Sequence, residues 1–320
     1  MSYGRVAVIG ASGFIGRYVV KRLARRGIIV TAVLPDAEKA GFLQTMGDVG
    51  QIARVTANIT DPKALHSALE NQDAVINLVG VMHETKRATF DAIHHKGAAS
   101  AARIAKAAGA KRFIQISALG ADPASSAAYA RSKAEGEEAV RTAFPGAIIL
   151  RPSVVFGPED AFFNRFAELS RISPALPLIG GGRTRFQPVF VGDVADAIIA
   201  ALFHPEAEGK TYELGGPGIY TFHEVLEIVL KQTGRKRWLV NLPWERATAL
   251  ARYIEWLPYP ALTRDQVALL RHDNVIAPGA LTLAALGIEA KSVESILPLY
   301  MDRYRLGGWY EAHRMGVGRN

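Results

Sequence analysis

The most constraining feature of the sequence is a short apolar run, Arg5-Val6-Ala7-Val8-Ile9, that leads directly into Gly10-Ala11-Ser12-Gly13-Phe14-Ile15-Gly16. A β-forming run, a glycine-rich turn and a helical pattern in that order form the strand–turn–helix that receives a pyrophosphate. Gly10 permits the tight turn, Gly13 lets backbone approach the anion, and Gly16 allows close helix–strand packing. The helix that opens after Gly13 offers unpaired N–H groups to negative charge. Ser12, Phe14, Ile15 and Arg17 belong to the same loop and first helical turn, and are read with the glycines as nucleotide-binding. A glycine turn with no ligand is the competing reading, and the flanking strand and helix argue against it.

The rest of the first half repeats the theme. Candidate strands at 5–9, 28–34, 52–56, 74–79, 112–117 and 147–150 alternate with helical stretches at 13–26, 62–69, 90–108 and 126–144. Such alternation specifies a parallel sheet with crossover helices. The expected fold class is α/β: a doubly wound parallel sheet of the Rossmann type over residues 1–151, with a smaller α/β C-terminal lobe over 152–320. In that lobe prolines punctuate a strand at 187–191, a helix at 194–203, a strand at 211–214 and a helix at 222–232. Two domains suit 320 residues. Hydrophobic residues at 49% exclude a disordered chain, and no cysteine is available for a disulfide, an iron–sulfur cluster or a zinc–thiolate site. The net charge of +8 is too mild for a nucleic-acid wrapping protein. No apolar stretch reaches the length of a membrane span, and a strand so early leaves no room for a targeting peptide. A cytoplasmic location is expected.

Further candidates fall at strand ends. Asn58 and Ile59 follow the third strand, where such folds contact adenine, and Leu78-Val79-Gly80 ends the fourth, where a small residue lets a cofactor pass. Tyr129 and Lys133 lie four residues apart on a helix, hence on one face. A lysine ammonium beside a phenol favours phenolate and makes the tyrosine a usable acid/base group. Ser117, closing the fifth strand, is placed to orient a carbonyl. The second strand ends Val33-Leu34-Pro35 with no acid at the ribose position, and Asp36 falls beyond it. With Arg17 nearby, NADP(H) is favoured and NAD(H) remains open.

These motifs, with Arg151-Pro152-Ser153-Val154-Val155-Phe156-Gly157-Pro158, resemble the atypical, extended short-chain dehydrogenases/reductases. The resemblance implies that Tyr129 and Lys133 bind the nicotinamide ribose and that the segment holding Pro152 and Val154 passes the nicotinamide. The stretches Ile114–Ala121, Tyr129–Glu137, Ala143–Ile149, Gly157–Asp160, Gln187–Val194 and Leu262–Val267 are similar to the nucleotide-binding accessory subunits of respiratory complex I (alpha subcomplex subunit nine) and their alphaproteobacterial relatives. That closer likeness implies a tightly held NADPH, complex I partners near the quinone module, a structural role without established turnover, and a location at the cytoplasmic face of the bacterial inner membrane. Leu34-Pro35 departs from the Arg that many NADP-binding relatives carry. A free-standing NAD(P)-dependent reductase, epimerase or dehydratase, acting on a sugar-nucleotide or quinone-type intermediate, is the rival reading; a dinucleotide sensor without chemistry is a third.

All four tryptophans (238, 244, 256 and 309) lie in the last third, beside Arg235-Lys236-Arg237. Trp244, Ala247, Leu250, Ala251, Ile254 and Leu257 form an apolar helical stripe ended by Pro258, and Val293–Tyr304 carries another. Such stripes ordinarily face the protein's own core; aromatic rims with basic neighbours instead suit a membrane surface or partner. His94-His95 is the only histidine pair, and adjacent helical side chains diverge, so no metal site is expected.

Overall fold

A computed structural model describes residues 3–86, 88–257 and 260–305. Trp309, Tyr259 and the helix-ending Pro258 lie outside the described residues. The chain forms two compact units, of which the first holds Met1–Pro152, Val191–Leu214 and Ala277–Glu289.

The first unit is built on a seven-stranded sheet. Its strands are β1 (Arg5–Ile9), β2 (Ile29–Leu34), β3 (Ile52–Thr56), β4 (Ala74–Asn77), β5 (Arg112–Ile116), β6 (Ile148–Pro152) and a last strand, Thr211–Leu214. The spatial order is Thr211–Leu214, β6, β5, β4, β1, β2, β3. Every neighbouring pair is parallel. Helices cover a parallel sheet on both faces, and the strands read accordingly: Val6, Val8, Val75, Ile76, Phe113 and Ile114 are fully buried. Helices α1 (Phe14–Ala24), α2 (Pro62–Leu69), α3 (Ala98–Ala107) and α4 (Ala128–Ala143) supply the crossovers. The sheet order reverses beside β1, the switch point outside which open α/β sheets bind ligands. Register brings Ile9, Asn77 and Gln115 level, so the loops that follow β1, β4 and β5 emerge side by side.

Three expectations need correction here. Thr211–Leu214 is not a strand of a separate lobe; it pairs with β6 and extends the main sheet. The helix expected at 194–203 starts at Val191, and all of it but Asp196, Ala200 and Phe203 is buried. It packs against α1, where Arg22 Nε and Nη2 donate to Asp196 Oδ1 and Oδ2 at 2.7 and 3.0 Å. The helix expected at 90–108 is two elements, a π-helix Asp91–Gly97 continued by α3.

The second unit holds Ser153–Phe190, Gly215–Ile276 and Ala290–Asn320. Its core combines Phe156, Phe163, Phe186 and Phe222 with Leu176, Val225 and Leu226. The strand expected at 187–191 shrinks to Val189–Phe190, because Pro188 has no N–H to give a ladder. A parallel pair, Ala175–Ile179 with Trp238–Leu242, had no counterpart in the sequence reading. The stripe at 293–304 is broken at Pro298 into Val293–Ile296, Pro298–Met301 and a 3-10 turn, Asp302–Tyr304. Its buried side chains, Val293, Ile296, Leu297, Tyr300 and Met301, face the unit's own core. Asp160 fastens this segment, accepting from the Gly157, Phe162 and Asn164 N–H groups and the Tyr300 hydroxyl.

Candidate functional site

At the end of β1 the Gly10 N–H donates to Val33 O at 2.9 Å, and φ at Gly10 is +83°, in the region that glycine tolerates best. Gly13 precedes α1 in extended conformation with no side-chain cap, and the first turn of α1 carries no acid. The helix therefore begins with N–H groups that no side chain satisfies, in the positive end of its dipole. A Cβ at Gly16 would stand 2.3 Å from Gly10 O and 2.6 Å from Ala11 O, so the turn closes only around glycine. Ser12, Phe14 and Ile15 sit half-buried along this turn, and Arg17 lays its guanidinium 5.2 Å from the Phe42 ring centre.

The turn lies against the end of β4, since a Cβ on Gly10 would meet Val79 Cγ2 at 3.2 Å and Leu78 C at 3.4 Å. Asn77 braces this stretch: its Nδ2 donates to Gln115 Oε1 at 2.8 Å and its Oδ1 accepts the Val79 N–H at 3.2 Å. Gly80 comes next, and a Cβ there would meet Lys133 Nζ at 3.2 Å and His94 Nε2 at 3.6 Å. One line of contacts thus runs from the glycine turn through Leu78, Val79 and Gly80 to Lys133.

Tyr129 and Lys133 occupy the first two turns of α4, with Lys133 Nζ 5.8 Å from the Tyr129 ring centre. Lys133 is buried and its ammonium reaches Ile116 O at 3.5 Å. Burial pushes its pKa down from 10.5 to about 8, against the pull of Glu137. Ser117 follows β5, its N–H held by Leu150 O at 2.8 Å, and its buried Oγ has no hydrogen-bond partner among the described residues. An unsatisfied buried hydroxyl one residue on from the carbonyl that Lys133 reaches fits a polar ligand atom.

Elsewhere the placements differ in kind. Asn58 uses its Oδ1 within its own turn, accepting from the Thr60 N–H and hydroxyl, while Ile59 is buried against Gly97. Asp36 accepts from Lys39 Nζ at 2.8 Å and from the Glu38 and Lys39 N–H groups. These contacts, the Lys39 side chain foremost, hold its carboxyl below the usual range. Pro152 ends β6 in the first unit. Val154 lies in the second unit, donating its N–H to Asn274 Oδ1 and accepting from the Val189 N–H.

Three participants escaped the sequence reading. His94, on the π-helix, accepts the Val81 N–H at Nε2 and pairs Nδ1 with Ser132 Oγ. Phe90 stacks on its ring and Tyr129 meets it edge-on. The signals were present: Gly97 and Gly136 flank this contact, and a Cβ on Gly136 would lie 2.0 Å from His94 O. His95 turns away to Asp91. Among the described residues no group of His, Asp and Glu side chains is placed to hold a metal ion, and no helix is long and apolar enough to cross a membrane.

A profile of the NAD dependent epimerase/dehydratase family matches residues 6–215. The mitochondrial NADH dehydrogenase (ubiquinone) 1 alpha subcomplex subunit 9 of Arabidopsis thaliana is 36% identical over 313 residues, covering 94% of this chain and 78% of its own. A ceramide reductase of Caulobacter vibrioides is 32% identical over 243 residues, covering 75% of this chain and 74% of its own. Among solved structures, the Escherichia coli NADPH-dependent quinone oxidoreductase QOR2 complexed with NADPH superposes with a TM-score of 0.71 at 22% identity, covering 92% of this chain and 99% of that one. On this evidence the chain belongs to the NAD dependent epimerase/dehydratase family, in the branch that includes the alpha subcomplex subunit 9 proteins.

Proposed function

We propose that this chain holds a nicotinamide dinucleotide and works as a nucleotide-bearing accessory subunit of a respiratory NADH:quinone oxidoreductase. The observation that carries the nucleotide reading is the unbroken line of contacts from Gly10 through Val79 and Gly80 to Lys133. The uncapped start of α1 suits the pyrophosphate, received by backbone of Gly10, Ser12, Gly13, Phe14, Ile15 and Gly16. Asn58 and Ile59 would border the adenine, Leu78, Val79 and Gly80 the middle of the molecule, and Tyr129 and Lys133 the nicotinamide ribose, with Pro152 beyond. The bound group supplies hydride-transfer capacity. The protein's part is to bind, orient and desolvate it, and the orphaned Ser117 Oγ offers a hydrogen bond at that end.

NADP(H) is the proposed form. Asp36, the nearest acid to the end of β2, is engaged by Lys39 and by the turn it caps, which disfavours its use on a ribose diol. Arg17 supplies a cation beside the glycine turn.

The partner half rests on the near-full-length similarity to the Arabidopsis subunit. The second unit adds support. On the helix Trp244–Ile254 only Ala247 and Ala251 are buried, while Leu250 and Tyr253 are exposed, as are Trp256 and Leu257 just beyond. Arg246 and Arg252 lie exposed on the same helix. Aromatic groups among arginines suit the anionic membrane surface beside the quinone module, at the inner membrane's cytoplasmic face.

An enzymatic reading keeps one specific support, the Tyr129–Lys133 pair beside Ser117, and the ceramide reductase similarity agrees with it. A tagged copy recovered from native membranes separates the two. The accessory role expects respiratory subunits and stoichiometric NADP(H) in the eluate and no NADPH oxidation with small carbonyl compounds. Recovery from cytosol alone, with turnover abolished by Tyr129→Phe, would establish the enzyme instead.

A further inference from the structure

We infer that His94 is the positioning residue of the nicotinamide end: a neutral imidazole that locks the loop after β4 to the helix carrying Tyr129 and Lys133. This rests on the dinucleotide reading above.

Hydrogen bonding assigns the ring its tautomer. Nε2 lies 3.0 Å from the Val81 nitrogen, whose hydrogen it must accept, so Nε2 carries no proton. Nδ1 lies 2.9 Å from Ser132 Oγ, and that hydroxyl already spends its own hydrogen on Tyr129 O at 2.8 Å. Ser132 Oγ is therefore the acceptor and Nδ1 carries the proton. Both nitrogens are used, and a second proton would set an N–H against the Val81 N–H.

The surroundings agree. Phe90 covers one face of the ring at 5.4 Å and 17°, and the Tyr129 ring meets it at 5.4 Å and 89°. Phe90 also meets Tyr129 edge-on at 5.8 Å, so the three rings form one cluster. Burial, helped by the Lys133 charge, pushes the His94 pKa down to about 3. The imidazole thus stays neutral at physiological pH and is no proton donor; its work is geometric. It joins the loop at Val81, next to Gly80, to the turn of α4 that holds both Tyr129 and Lys133. The wide turn of the π-helix, a form concentrated at functional sites, brings His94 O so near α4 that only glycine fits at 136.

A residue that acts at this end should alter affinity for a complete dinucleotide and leave alone a ligand lacking both the nicotinamide and its ribose. The test is calorimetric titration of the full chain with NADPH and with 2′-phospho-ADP, the adenosine diphosphate half of the same molecule. His94→Phe, which keeps a ring and loses both hydrogen bonds, is expected to weaken NADPH roughly tenfold or more, the scale of one lost hydrogen bond. Its 2′-phospho-ADP affinity should stay within about twofold of the parent's. His94→Gln, whose amide reaches the Val81 N–H, should recover part of the loss. Ser132→Ala, which leaves the ring in place and removes its acceptor, is the second variant should His94→Phe fold poorly; it should show the same split. In each variant the Tyr129 titration, isolated by ultraviolet difference against the matching Tyr129→Phe protein, should move.

Equal weakening of both ligands would assign His94 a purely structural role, and unchanged NADPH affinity would remove it from the site; either overturns the proposal. Failure of the parent protein to bind NADPH or 2′-phospho-ADP would instead sink the dinucleotide reading itself.

Discussion

Lys133 shows at the scale of one residue what the site costs the fold. Its ammonium is buried with a single long hydrogen bond among the described residues, to Ile116 O, and burial lowers its pKa from 10.5 to about 8. The unfolded chain therefore binds more protons than the folded one between pH 8 and 10.5. Stability rises with pH across that window, and the full penalty stands below pH 8. A fall from 10.5 to about 8 corresponds to about 3 kcal/mol. Lys133→Met, which fills the space without the charge, should exceed the parent in urea-unfolding stability at pH 7. The gap should close as pH approaches 10.5, and the variant should lose affinity for NADPH. A variant no more stable than its parent at pH 7 would show that the ammonium is better solvated than its surroundings indicate. Gly16 is the opposite case, serving fold and site together. Its missing Cβ leaves room for two backbone carbonyls that cannot retreat without opening the turn. Gly16→Ala should cost about 1–3 kcal/mol in denaturant unfolding, and dinucleotide affinity should fall with it.

At the scale of elements, the contact between the π-helix and α4 sets the geometry around Tyr129. Gly136 faces His94 O, and a methyl there would lie 2.0 Å from that oxygen. Gly136→Ala gains helix propensity on paper, yet it should lower the melting temperature and weaken NADPH, because the two elements must part and carry His94 from Ser132. A melting temperature at or above the parent's would refute this. The same contact explains how far the sequence could be read. Strands 5–9, 74–77 and 112–116 were legible because burial on both faces makes them mostly apolar, with Arg5, Asn77, Arg112 and Gln115 as the polar exceptions, and the glycine turn because its spacing is a steric requirement. The π-helix was not legible: an apolar period of about 3.6 continues through Asp91–Ala107, and one widened turn shifts the phase too little to register. Nor did the stripe at 244–257 tell which way it faced. Ala247 and Ala251 turn in while Leu250 and Tyr253 turn out, a choice made by what the core can accept. For the candidate site, residue types and strand ends were readable, whereas the roles of Ser132, Phe90 and His94 depend on contacts that no local pattern encodes.

For the whole molecule, the order of the chain and the order of its compact units disagree, and this has a mechanical consequence. The first unit is complete only when residues 191–214 and 277–289 have returned to it. Without them β6 is an exposed edge, its partner Thr211–Leu214 gone, and an unpaired edge invites aggregation. The helix Val191–Phe203 would also be missing from α1, along with the Arg22–Asp196 fork. Arg151 would lose Glu213, leaving Glu137 as its remaining partner through the pairs at 2.8 and 2.7 Å. A chain ended after Pro152 holds every nucleotide-site candidate except Val154, so on motif content alone it should bind. The packing says otherwise: we expect it to bind the dye ANS, to lack a near-ultraviolet circular dichroism signal and to bind no NADPH. A chain ended after Glu289 restores all three segments of the first unit while removing Val293, Leu297, Tyr300 and Met301 from the core of the second. It should keep NADPH binding and unfold in two separated transitions, the earlier one from the second unit. Cooperative unfolding with full NADPH affinity in the shorter chain would show that the sheet closes without its late strand.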